Sequence, residues 1–115
     1  MVLNRPDALF LVTDALTILN RKRVIDFAEQ HRIPAMYESG ALVHEGGLMS
    51  YGANPDDNFR RAAIYVDRIF KGATPNRLPV EQPTRYYLAI NLKTARALGL
   101  TISPSLLLRA DQVIE

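Results

Sequence analysis

Hydrophobic positions in this chain switch repeatedly between strand-like runs and helical spacing. Residues 8–13 (ALFLVT) are apolar without alternation, which predicts a strand buried on both faces, as in a parallel sheet. A helix follows from about residue 17 or 20 to His31, with Ile18, Val24, Ile25 and Ala28 inward and Arg and Lys outward. Residues 33–37 (IPAMY) predict a second strand, and residues 41–45 one or two helical turns that Gly46-Gly47 breaks. Residues 48–51 predict a third strand, and Gly52-Ala53-Asn54 a turn. The longest amphipathic helix comes next. Asn54 suits its cap and Pro55 its first position, where a missing N–H is no loss. Asp56 and Asp57 lie at the positive end of its dipole, Arg68 and Lys71 at the negative end. Phe59, Ala62, Ala63, Val66, Ile69 and Phe70 recur at steps of three and four, giving one apolar face, and Gly72 ends the helix.

Beyond Gly72 the pattern changes. Residues 73–83 (ATPNRLPVEQP) hold three prolines and no periodicity, the mark of a connector. Residues 84–90 (TRYYLAI) predict a further strand, in which the adjacent Tyr86 and Tyr87 point to opposite faces. Asn91 suits the cap of a short helix ending at Gly99. Ser103-Pro104 starts a last helix, expected to reach Ile114 with Leu106, Leu107, Ala110, Val113 and Ile114 on its inner side. The order β-α-β-α-β-α with short connections is that of an α/β, three-layer αβα domain with a parallel sheet. The whole chain, residues 1–115, reads as one domain: a βα core over 1–72, the connector 73–83, and a strand with terminal helices over 84–115. Because it opens directly on a buried central-type strand, it has the look of a piece cut from something longer.

Composition narrows the classes. With 115 residues, 48% hydrophobic and 23% charged, the chain suits one small globular domain. The net charge is +2, and the basic residues are dispersed. The densest cluster, Arg21-Lys22-Arg23, is bracketed by Asp26 and Glu29 at helical spacing, so it reads as a solvated helix face and no nucleic-acid partner is expected. Without cysteine there is no disulfide, Cys-ligated zinc or thiol catalysis. No apolar run reaches membrane-spanning length. The opening MVLNRPDALFLV lacks the pattern of a signal peptide, so no export signal is expected in this chain.

Each of the first three strands ends in a polar turn: Thr13-Asp14, Glu38-Ser39 and Ser50-Tyr51. Parallel strands carry these turns to one edge of the sheet, where open α/β sheets take their ligands. Asp14 and Glu38 form a carboxylate pair across two strand ends, or Asp14 caps the helix that follows. Tyr51 is either a stacking and hydrogen-bonding group for a small solute or a tyrosine of the rim or core. His31 and His44 have no second ligand at metal spacing, and His31 suits a helix C-terminus, so no metal is expected. Ser39 lies outside any G-x-S-x-G elbow. No Gly-x-Gly-x-x-Gly or phosphate loop is present, so no cofactor is expected.

Residues 46–115 resemble the C-terminal part of substrate-binding proteins of ABC transporters, in the group that includes aromatic amino acid binders. The residues that carry the resemblance are the GG-L-x-S-Y-G turn, the helix ending I-F-K-G-A-x-P, L-P-V-E-Q-P-T, and I-N-L-K-T-A-x-A-L-G-L followed by P-x-S-L-L-x-R-A-D; the upstream ALFLVTDAL…VIDFAEQHRIPAMYE fits as well. The resemblance covers essentially the whole chain, which covers less than half the family's usual length. It implies one lobe of a type I periplasmic-binding fold, in which two α/β lobes joined by crossover segments close on a small organic solute. This chain would be the C-terminal lobe with a crossover strand and terminal helices, lacking the N-terminal lobe. By position, Thr13, Asp14, Glu38, Ser39, Ser50 and Tyr51 would be this lobe's ligand-binding residues. An amino acid ligand, an ABC permease partner and a periplasmic or membrane-anchored extracytoplasmic location are what the resemblance implies.

Two other readings stand beside this one. A lone lobe self-associates as a homodimer with a structural or regulatory role, through the surface that meets the other lobe or by exchanging the strand over 84–90. An enzyme on a flavodoxin-like core ranks last, since no nucleophile–base pair is visible and fold likeness alone does not justify it.

Overall fold

The computed structural model describes residues 4–115. The first three residues of the stretch read for an export signal lie outside them. The chain divides into two compact units: one formed by Met1–Gly52 with Tyr87–Glu115, the other by Ala53–Tyr86.

The first unit carries a five-stranded sheet in the order β1-β2-β3-β4-β5. Strand β1 is Leu9–Leu11, β2 Ala35–Tyr37, β3 Met49–Ala53, β4 Tyr86–Asn91 and β5 Gln112–Ile114. β1 pairs with β2, β2 with β3 and β4 with β5 in parallel. The register sets Leu11 beside Tyr37 and Tyr37 beside Ser50. The Asn91 N–H donates to Leu48 O at 2.8 Å, which brings the carboxyl end of β4 beside the amino end of β3. β4 therefore runs against β3, and the sheet is mostly parallel rather than wholly so. The strand expected over 84–90 is β4, hydrogen-bonded into this sheet.

Helices accompany the strands: α1 (Ala15–Leu19), α2 (Arg21–Gln30), α3 (Gly40–His44), α5 (Leu92–Ala97) and α6 (Pro104–Leu107). The helix expected up to His31 is two helices, parted at Asn20. Ile25 and Ala28 on α2 are buried and pack with Ala35, Tyr37 and Leu42 in the core. The basic cluster on α2 is solvated and ion-paired, Lys22 with Asp26 at 2.8 Å and Arg21 with Glu45 at 2.9 Å. His31 caps the end of α2, its ring 4.3 Å from that of Phe27.

Two expectations change here. Within this chain β1 borders the sheet and is not covered on both faces: Phe10 keeps 59% of its surface exposed, and Val12 is also exposed. An unbroken apolar run does not distinguish an edge strand from a central one. The helix expected from Pro104 to Ile114 stops at Leu107, and Gln112–Ile114 is strand β5. Asp111 makes the switch. Its N–H donates to Leu88 O at 2.8 Å, and its carboxylate accepts the Leu88 N–H at 2.9 Å, which pins the chain to β4 where the new strand begins. An apolar run this short satisfies both periods.

The second unit holds α4 (Pro55–Phe70) and a short 3-10 turn, Pro75–Arg77. Asn54 caps α4 through its side chain, accepting the Asp56 N–H at 2.9 Å, and Pro55 takes the first turn as expected. The connector folds back along α4. Glu81 pairs with Arg61, and the Tyr65 hydroxyl donates to Pro79 O at 2.5 Å. A groove of about 490 Å³ runs between helix and connector, with Arg61, Tyr65, Ile69, Leu78 and Pro79 on its walls. The apolar face of α4 is not buried in this chain. No residue of the helix is buried, and Phe59 and Phe70 stay 74% and 85% exposed. No helix among the described residues is long and apolar enough to cross a membrane.

Candidate functional site

Two strand-end turns, Thr13-Asp14 and Glu38-Ser39, together with Ser50-Tyr51 build the candidate site; the third pair, expected as a turn, lies within β3, which runs on to Ala53. The aligned row Leu11, Tyr37 and Ser50 brings the segments that follow it to one edge of the sheet. The closest link is between the first two. The Thr13 N–H donates to Glu38 Oε2 at 2.8 Å, so Glu38 braces the end of β1 against the end of β2. Glu38 is half-buried and Thr13 is exposed.

Asp14 is exposed and caps α1. Its Oδ1 accepts the Thr17 N–H at 2.7 Å, and its own N–H donates to Thr17 Oγ1 at 2.8 Å, a closed capping box. The Thr17 backbone N–H holds the Asp14 carboxyl below the usual carboxylate range, because that donor favours the ionised form. Ser39 caps α3, its Oγ accepting the Ala41 N–H at 3.4 Å. Ser50 is buried inside the sheet, whereas Tyr51, on the opposite face of the pleat, is half-exposed. The edge thus offers two carboxylates, two hydroxyl residues and an accessible phenol, with Ser50 set behind them. Among the described residues, no group of three or more His, Asp or Glu is placed to hold a metal ion.

Because its folded pKa is depressed, the Asp14 cap contributes stability above the usual carboxylate range and loses it as pH falls through the lowered pKa. The protection of the Thr17 amide, relative to its intrinsic exchange rate at each pH, is therefore expected to fall only in acid. Asp14→Asn should keep most of the cap, since asparagine caps about as well, and should abolish that acid response. Equal protection of Thr17 at neutral and acid pH would contradict this.

Gly52 and Tyr37 are the residues of this region that sequence reasoning passed over. Gly52, read as a turn glycine, lies within β3, where a Cβ would stand 2.0 Å from Glu38 O. A glycine inside a strand pattern is the signal for such a close backbone approach. Tyr37, read only as the last residue of a strand, is 1% exposed, and burial pushes its phenol pKa up.

Comparison with known proteins fits this architecture. The model of the ABC transporter substrate binding protein family matches residues 1–114, and the chain belongs to that family. Among solved structures, a conserved domain protein from Vibrio cholerae is 27% identical with a TM-score of 0.88, over 93% of this chain and 36% of that one. The ABC domain in complex with L-Trp from Streptococcus pneumoniae is 30% identical with a TM-score of 0.85, over 94% of this chain and 38% of that one. A ligand-free, open substrate binding protein with adhesive properties from Clostridium difficile, at 20% identity and a TM-score of 0.64 over 93% of this chain and 36% of that one, shares the fold. The chain thus spans between 36% and 38% of the length of these structures. No curated protein matches it.

Proposed function

We propose that this chain forms one wall of a solute site in an ABC transporter receptor and takes an amino acid with an aromatic side chain. The observation that carries the reading is the shared edge at which Thr13, Asp14, Glu38 and Tyr51 stand. Two carboxylates at one edge suit an ammonium group, since each offers about four lone-pair directions and one donor does not exhaust it. A half-exposed tyrosine suits the face of an aromatic side chain. Ser39 joins the ligand-binding set, and the buried Ser50 supports it from behind. The L-Trp complex of the Streptococcus pneumoniae relative supports the choice of solute class.

The reading assigns no catalytic step. Ligand is held by hydrogen bonds and ring contact, a second lobe supplies the opposite wall, and the closed form is offered to a membrane permease outside the cytoplasm. One wall buries only part of a ligand, so affinity for the chain alone is expected to be weak.

NMR titration of the full chain with L-Trp checks this at weak affinity. The amides of Thr13, Glu38 and Tyr51 are expected to shift together and saturably, and Tyr51→Ala should weaken the response several-fold while leaving the fold intact. L-Trp and the other aromatic amino acids leaving these amides unmoved, or shifting only residues elsewhere, would overturn the reading.

A further inference from the structure

The exposed carboxylate of Asp14 is held by a single residue, Thr17, which is itself half-buried. The Thr17 Oγ1 accepts the Asp14 N–H at 2.8 Å, and its one proton is shared between Val12 O at 3.0 Å and Asp14 O at 3.1 Å. The Thr17 N–H donates to Asp14 Oδ1 at 2.7 Å. Between these contacts the Thr13 N–H donates to Glu38 Oε2. Val12, Thr13 and Asp14 are thus each tied down, the first and last by the Thr17 hydroxyl and the middle one by Glu38. Capping α1 needs less than this, because the bond from the Thr17 N–H to the Asp14 carboxylate is already a side-chain cap. The hydroxyl adds the orientation of the residue that carries the carboxylate. Ala15, Leu16, Ile18 and Leu19, the rest of α1, have no polar side-chain group to replace it.

From this arrangement we infer that Thr17 is a positioning residue of the solute site and acts through Asp14. The inference rests on the solute reading proposed above. An exposed aspartate ordinarily moves among several rotamers, and a ligand that needs one of them must freeze it on binding. Here the freezing is done beforehand. The Asp14 N–H is tied to the Thr17 hydroxyl and Oδ1 to the Thr17 N–H, so both the backbone and the side chain of Asp14 are set. A carboxylate has about four lone-pair directions, so the held Oδ1 leaves Oδ2 for an ammonium group of the solute. The same contacts favour the ionised form, which keeps the charge that such a group needs. Thr17 touches no ligand in this scheme. It lowers the ordering cost that binding would otherwise carry.

NMR of the full chain tests the inference with two variants. Thr17→Val keeps the backbone N–H and the shape of the side chain but loses the hydroxyl, and Thr17→Ser keeps the hydroxyl. The first readout needs no ligand. Side-chain couplings of Asp14 are expected to report one χ1 rotamer in the wild type and in Thr17→Ser, and averaged rotamers in Thr17→Val. The second readout is titration with L-Trp. Thr17→Val should weaken the response about threefold to tenfold, the effect of leaving one side chain to be ordered on binding, and Thr17→Ser should restore most of it. In an Asp14→Ala background Thr17→Val should weaken the response no further, because a residue that acts through Asp14 has nothing left to act on. Circular dichroism checks that each variant keeps the fold. A single Asp14 rotamer in Thr17→Val overturns the inference. So does an L-Trp response that Thr17→Val leaves unchanged, or one that it weakens equally with and without Asp14. A wild-type chain that ignores L-Trp while the Asp14 rotamers behave as expected overturns the solute reading, and with it the role of Thr17 toward ligand, while the hold of Thr17 on Asp14 stands.

Discussion

Replacing Gly52 by alanine is expected to lower the thermal midpoint of the sheet unit by about 10 °C. The position does not need left-handed backbone, since the glycines with positive φ are Gly46, Gly72 and Gly99. The cost comes from contact alone: a Cβ would lie 2.0 Å from Glu38 O and 2.9 Å from Glu38 C. Both are backbone atoms and cannot rotate away. The ends of β2 and β3 must separate, and overpacking of this kind costs about 1–3 kcal/mol. That separation would also move Glu38 and Tyr51, so any response to L-Trp should fall with the midpoint. Gly72→Ala is the informative comparison. No atom lies within 4 Å of its Cβ position, and its φ of 99° leaves only backbone strain to overcome. Melts followed by circular dichroism check both variants, and an unchanged midpoint for Gly52→Ala would refute the close approach.

Tyr37→Ala is expected to remove about 3–5 kcal/mol from the sheet unit, a large share of what a domain of this size has. The side chain is fully buried among Ile25, Ala28, Ala35 and Leu42, with Leu9 and Leu11 packed against the same cluster. It also stands over Gly47, where a Cβ would approach the ring to 2.6 Å and Leu42 O to 2.8 Å. Gly47→Ala should therefore destabilise as well. In the double variant the space left by the ring takes part of the new methyl, so the combined loss is expected to be smaller than the sum. The Leu42 carbonyl keeps the rescue incomplete. Urea unfolding of the four proteins measures this, and strictly additive losses would mean that ring and glycine do not meet.

Much of the fold was legible because its elements announce themselves chemically. Asn54, Pro55, Asp56 and Asp57 open α4, Asn91 caps a short helix, and both caps form. The alternation of strands and helices and the first two strand-end turns were equally readable, whereas Ser50-Tyr51, read as a third turn, lies within β3. Long-range geometry was not. Nothing in ALFLVT tells that β1 borders the sheet, because strand order is decided by partners far along the chain. The direction of β4 is seen in the hydrogen bond from Asn91 to Leu48, residues with no local sign of their pairing. The last turn of the chain was misread because Leu106, Leu107, Ala110, Val113 and Ile114 fit a helix as well as a strand, and Asp111 decides between them by bonding to Leu88. At the site, the residue types were visible, but the brace from Glu38 to Thr13 was not, since it joins positions 25 residues apart. The apolar face of α4 was visible too, whereas its exposure was not: an amphipathic pattern says that a face needs cover without saying which molecule supplies it.

The reversal of β4 against β3 has an evolutionary consequence. Neighbouring antiparallel strands can be joined by a turn of two residues, yet here the entire Ala53–Tyr86 unit fills that place. Topologically it is an enlarged hairpin loop, the kind of position at which chains accept foreign segments without disturbing the host, because the host ends already lie side by side. Lengthening such a loop costs little, about 0.6 kcal/mol for each doubling. The strand that holds Ser50 and Tyr51 can therefore keep its pairing while the inserted segment changes in length or sequence.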